Sequence, residues 1–240
     1  MAQNIGSFDN IDEVFKDPVG NIKRSLVALP SNPSAMLLVF ANIVFIIFAI
    51  FSNLTLQDVL LVYWSQSIII GFFTVVRMIV YPSFLDLPKI SLGNEVSAVE
   101  TNLATKIGLS LFFIFHYGLF HLVYFFFIGG GFRDFGYLII GAGLFFITHL
   151  VSFIINYKSD ISKKWELGVI MLSAYPRIIP MHMGIIFGAL IFTIISIPLS
   201  VIFGSGIAFR VGEIVVMCSF LLLKIAFDLV SHDVSHETFE

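Results

Sequence analysis

Six stretches of this chain, 34–51, 59–81, 107–128, 135–155, 175–203 and 209–230, are long, predominantly apolar and separated by short polar breaks. At about 1.5 Å per residue, some twenty apolar residues cross a hydrocarbon layer of about 30 Å. Inside that layer the backbone must satisfy its own polar groups, so each stretch is read as a helix. The predicted fold is therefore all-α, an integral membrane bundle of six transmembrane helices with short interfacial helices. Composition supports this: 58% of the 240 residues are hydrophobic, 28 are phenylalanine, and only 12% are charged, against about a quarter in soluble domains. The lipid bilayer is the implied partner, with a second copy or another membrane subunit as the further candidates. Nothing in the pattern suggests nucleic acid.

The flanks divide the chain into residues 1–33, an N-terminal segment with an interfacial helix; 34–230, the membrane domain; and 231–240, a tail. In the first, Phe8, Ile11, Val14 and Phe15 recur at helical spacing behind Asp9 or Asn10 as a cap. That segment opens polar and acidic, without the pattern of a cleaved signal, so the first span is expected to serve as the insertion signal. Residues 82–105 are expected outside the membrane, with a helix over 94–102. Residues 157–175 are predicted to form a surface-lying helix capped by Ser159 and Asp160 and anchored by Trp165. Cys218 lies within an apolar run and reads as a small packing residue.

Six spans place both termini on one side. That side collects eleven of the thirteen basic residues, the other only Arg133 and Arg210. The positive-inside rule then makes the termini cytoplasmic, in a multi-pass protein of the cell membrane.

Polar side chains inside the spans are costly and mark interior faces. At 100° per residue, Tyr63, Gln66, Ser67, Thr74 and Arg77 share one face of the second span. In the third, Ser110, Tyr117, His121 and Tyr124 form a polar arc with His116 at its edge. Five residues separate His116 from His121, a turn of about 140°, so the two do not converge on one ion as an i, i+4 pair can. His149, Ser152 and Asn156 share a face of the fourth span. The fifth opens irregularly, with Pro176 and Pro180 around Arg177, followed by Met181-His182-Met183. In the sixth, Glu213, Lys224, Asp228 and His232 follow one stripe, and Asp228, His232 and His236 stack at i, i+4.

Imidazole and carboxylate suit zinc or iron. The candidate metal ligands are His116, His121, His149, His182, Asp228 and His232, with a divalent metal such as zinc as the candidate cofactor. Gln66, Arg77, Tyr124, Asn156 and Arg177 are the candidate pocket residues. Arg77 and Arg177 are read either as arginines snorkelling to the interface or as a guanidinium pair for a carboxylate or phosphate. Lys224 either snorkels or pairs with Asp228. Three functions stay open: a metal-dependent enzyme acting on a lipid-like substrate, a small transporter or proton-coupled carrier, and an accessory membrane subunit.

The motifs Tyr63-Trp64-x-Gln66-Ser67, His116-Tyr117-Gly118-x-Phe120-His121 and Tyr175-Pro176-Arg177-Ile178-x-Pro180-Met181-His182, with Lys224, Asp228 and His232, resemble an uncharacterised family of prokaryotic polytopic membrane proteins. The resemblance covers nearly all of the chain after Ser34 and implies a membrane protein without implying an activity. A narrower resemblance, through His232 and His236, is to the intramembrane zinc hydrolases that include alkaline ceramidases and adiponectin receptors. This chain departs from them in its six spans and in lacking an early Ser-x-x-x-His.

Overall fold

The structure, a computed structural model, describes residues 18–85, 99–128, 135–163 and 165–236, with backbone alone at 18, 19, 21, 85, 99, 189, 230 and 232–236. The helix expected around Phe8 to Phe15 and most of the one expected over 94–102 lie outside the described residues.

Six helices are long and apolar enough to cross a membrane. A short helix, α1 (Pro18–Ala28), leads through a 3-10 turn to α2 (Pro33–Phe51), whose first turn is capped by Asn32 accepting from the Ala35 amide. Helix α3 (Leu56–Val80) begins three residues before the predicted span, because Thr55 and Asp58 form a reciprocal capping box there. Then come β1 (Ser83–Leu85), β2 (Val99–Glu100), α4 (Leu103–Ile128), α5 (Phe135–Ser162), β3 (Trp165–Glu166), α6 (Leu167–Leu172), a 3-10 turn (Tyr175–Ile178), α7 (Ile179–Phe203) and α8 (Ser205–His236).

Two expectations about the connections are corrected. Val99 and Glu100 form a strand, not the end of a helix: β1 pairs antiparallel with β2 and parallel with β3, giving a three-stranded sheet at one end of the bundle. The segment after the fourth span is not a surface-lying helix either. Helix α5 runs on through Ser162, and Asp160, expected as a cap, is fully buried. Trp165 is buried as well, its indole N–H donating to the Asp160 carbonyl at 2.8 Å. An indole that fills an internal site in this way does not anchor to lipid headgroups.

Helix α3 is the hub, packing on α4, α5, α7 and α8, while α7 lies along α8. Its predicted polar face points inward, and Tyr63, Gln66, Ser67, Thr74 and Arg77 are all buried. On α4 the same inversion holds: Ser110, Phe113, Tyr117, His121, Tyr124 and Ile128 are buried at spacings of three and four, whereas Leu111, Phe115 and Phe126 face outward. Outward leucine, isoleucine and phenylalanine give the bundle a surface suited to acyl chains. Tyr63 anchors the aromatic core against Phe45, Phe145 and Phe220 and donates its hydroxyl to Asn42 at 3.0 Å.

Candidate anion site between two buried arginines

The end of the bundle that carries the sheet also collects most of the buried charge. Neither arginine snorkels: Arg77 and Arg177 are each only 6% exposed. Arg77 sits one turn before the end of α3. Its guanidinium carbon lies 5.3 Å from the centre of the Tyr81 ring and 5.5 Å from that of Trp165, a cation–π setting on two sides. Tyr81 in turn donates its hydroxyl to the Asp160 carboxylate at 3.0 Å. Burial is the main cause raising the ionisation of that hydroxyl above its ordinary range, with Arg77 opposing and Asp160 reinforcing, so Tyr81 remains a donor. The Asp160, Tyr81 and Trp165 group thus fixes where Arg77 can sit.

Arg177 arrives differently. Pro176 and Pro180 break regular helix, so residues 175–178 form a 3-10 turn that turns Arg177 inward at the start of α7. Its Nε is buried without a hydrogen-bond partner among the described residues. Asp228 of α8 is the acidic group whose charge acts on it. That carboxylate is already engaged on one oxygen by Lys224, one helical turn earlier, in a pair shut away from solvent. Lys224 therefore pairs and does not snorkel, its ammonium lying 5.5 Å from the centre of the Tyr63 ring.

Between α2, α3, α5 and the segment leading into α7 lies a cavity of about 40 Å³. It is large enough for a few waters or one small ligand group. Arg77 and Arg177 both line it, with His149 and Ser152 from α5, Thr74 from α3 and Ser173 from the turn after α6. Leu38, Phe73 and Phe153 form apolar walls. Two cations in a low-dielectric wall make this a place that favours negative charge.

The candidate metal ligands are distributed over separate hydrogen bonds. His116 Nδ1 meets the Tyr175 hydroxyl at 2.7 Å, and the His116 ring stacks on Phe112. His121 donates Nδ1–H to the Tyr117 carbonyl at 2.8 Å, which fixes its tautomer if the ring is neutral. His182 meets the Tyr124 hydroxyl at 2.5 Å. His149 lines the cavity, and Asp228 pairs with Lys224. The side chains of His232 and His236 lie outside the described residues. Among the described residues no three His, Cys, Asp or Glu side chains form a group able to hold a metal ion.

Of the pocket candidates, Arg77 and Arg177 line the cavity and Tyr124 serves His182. Asn156 donates to Ser34 Oγ at 2.9 Å and to the Ser152 carbonyl at 3.0 Å, tying α5 to the start of α2. Gln66 is fully buried, and neither end of its amide has a partner among the described residues. Ser173 and the pairing of Asp160 with Tyr81 escape the sequence reading: Ser173 and Asp160 lie in a segment that looks extramembrane, and Tyr81 closes the second span with no partner visible in the sequence.

A polar interior closed by helices with lipid-suited outer faces defines a multi-pass helical membrane protein. The chain belongs to a family of unknown function, DUF6498, whose pattern matches residues 25–240. No curated protein and no solved structure matches it.

Proposed function

We propose that this multi-pass membrane protein binds a small oxyanionic group, carboxylate or phosphate, between Arg77 and Arg177. The observation that carries the reading is Arg177: a guanidinium buried within the bundle, its Nε unpartnered among the described residues, on the wall of a cavity that holds a second guanidinium. Burying such a cation is costly unless something completes its hydrogen bonds. An oxyanion does so, and the planar fork of arginine matches a carboxylate or phosphate edge. His149 adds a group able to exchange a proton at the same cavity. The anion is thus cargo or the polar head of a lipid-like substrate, which keeps the carrier and enzyme readings open at one site. The positive-inside excess supports a cell-membrane orientation in which the sheet, both termini and this cavity lie on the cytoplasmic side. A shared metal centre is less favoured, because among the described residues no three His, Cys, Asp or Glu side chains come together to hold an ion.

The test is thermal unfolding of purified, detergent-solubilised protein in sodium HEPES, titrated with sodium phosphate or sodium acetate. Saturable stabilisation that disappears in Arg177→Met is expected. Stabilisation by neither anion would refute the proposal.

A further inference from the structure

The hydroxyl groups around the cavity do not all face it as donors. Thr74 donates Oγ1–H to the Ile70 carbonyl at 2.9 Å, and Ser173 donates Oγ–H to the Ile170 carbonyl at 2.8 Å. A hydroxyl carries one hydrogen, so with those hydrogens spent on the backbone both oxygens can offer only lone pairs. The cavity therefore combines two guanidiniums, which call for an acceptor, with two buried hydroxyl oxygens, which can accept but not donate.

An oxyanion without hydrogens meets only half of this arrangement. It satisfies the arginines but sets its oxygens against those of Thr74 and Ser173, or forces their hydrogens to leave the backbone carbonyls. From this we infer, resting on the anion-site reading, that the ligand is an oxyanion that still carries an O–H, a protonated phosphate or phosphate monoester. The phosphate oxygens face Arg77 and Arg177, and the P–O–H donates to Thr74 or Ser173. Ser152, whose Oγ accepts from Asn156 at 3.4 Å, keeps its own hydrogen for a further ligand oxygen. A free phosphate and the head of phosphatidic acid share this chemistry. Sulfate, of nearly the same shape but with no proton at neutral pH, does not.

The experiment compares phosphate, methyl phosphate and sulfate at pH 6.5 by the concentration giving half-maximal thermal stabilisation of the full chain. It uses the wild type, the isosteric Thr74→Val, and Thr74→Val with Ser173→Ala. The inference expects phosphate and methyl phosphate to act at concentrations about tenfold or more below sulfate in the wild type, the size of one hydrogen bond to a buried acceptor. It expects that ratio to fall to within about threefold in the double variant. Equal potency of phosphate and sulfate in the wild type overturns the inference and leaves the anion-site reading standing. A phosphate preference that survives in the double variant overturns the assignment to these hydroxyls. No stabilisation by any of the three, nor by acetate, overturns the anion-site reading itself. Nanodiscs containing phosphatidic acid separate the sources: added phosphate stabilises no further there if the lipid head fills the cavity, and stabilises as in phosphatidylcholine nanodiscs if free phosphate is the ligand.

Discussion

Replacing Arg177 by methionine is expected to make the anion-free protein more stable, not less. The side chain is 6% exposed, its Nε has no hydrogen-bond partner among the described residues, and the carboxylate that acts on it, Asp228, is already held by Lys224. A cation in that position retains most of its desolvation cost, several kcal/mol in protein interiors, with only partial electrostatic return. Methionine keeps the length and apolar stem of arginine and removes the charge, leaving the Lys224–Asp228 pair as it was. A gain of about 1–3 kcal/mol follows, in line with hydrophobic replacement of other buried charged groups. At about 2–4 °C per kcal/mol for a chain of this size, the unfolding midpoint should rise by roughly 2–12 °C in anion-free buffer. Wild-type protein should gain about 2.7 kcal/mol at a ligand concentration one hundred times Kd, and the variant should gain nothing. Differential scanning fluorimetry with and without phosphate measures both effects. A variant that unfolds several degrees below the wild type without anion would refute the reasoning, since Arg177 would then be holding the bundle together.

Four further outcomes can be checked by the same melting assay. Asp228→Asn leaves Lys224 buried without its counter-charge and should cost about 3–5 kcal/mol, whereas Lys224→Met combined with Asp228→Leu should cost clearly less. Tyr81→Phe removes the donor to Asp160 and should cost about 1–3 kcal/mol, and it should weaken anion binding because Arg77 loses part of its support. Thr55→Ala removes the cap of α3 at the opposite end of the bundle and should cost about 1 kcal/mol with the anion response unchanged. Gly141→Leu pushes a side chain into Val62 and Phe45, and overpacking of about 1–3 kcal/mol should appear as a lower midpoint.

How much was legible in the sequence depended on whether the signal was periodic. The spans and their inward faces follow from apolar runs interrupted at 3.6-residue spacing, so the buried arcs of α3 and α4 could be placed residue by residue. The Lys224–Asp228 pairing was visible as an i, i+4 spacing, though the sequence could not decide it against snorkelling. Three-dimensional closure left no such trace. Trp165 beside lysines looks like an interfacial anchor, and only the parallel pairing of β3 with β1, across more than eighty residues, shows why it is buried. Ser173 became part of a cavity wall for the same reason: α6 is tucked against α3 and α4 rather than lying flat. The histidines illustrate the converse. Their residue type suggested a shared ligand set, but among the described residues no three His, Cys, Asp or Glu side chains come together to hold an ion.

The contrast between the two arginines separates architecture from function. Arg77 is surrounded: two aromatic rings cover its charge, and a tyrosine–aspartate hydrogen bond braces one of those rings. A group so supported could serve the fold alone. Arg177 is carried inward on a proline-bounded turn to the same cavity, and Asp228, the carboxylate whose charge acts on it, has one oxygen held by Lys224. Arg177 is the costlier of the two to bury, since Lys224 already supplies a counter-charge on one oxygen of Asp228 and the other oxygen has no hydrogen-bond partner among the described residues. A side chain that breaks the local rule of burial with only partial internal compensation belongs to the class of exceptions found at functional sites. Under the proposed anion site the compensation comes from outside the chain, and the hydroxyl oxygens of Thr74 and Ser173, with their hydrogens given to backbone carbonyls, favour a ligand that brings a proton as well as a negative charge.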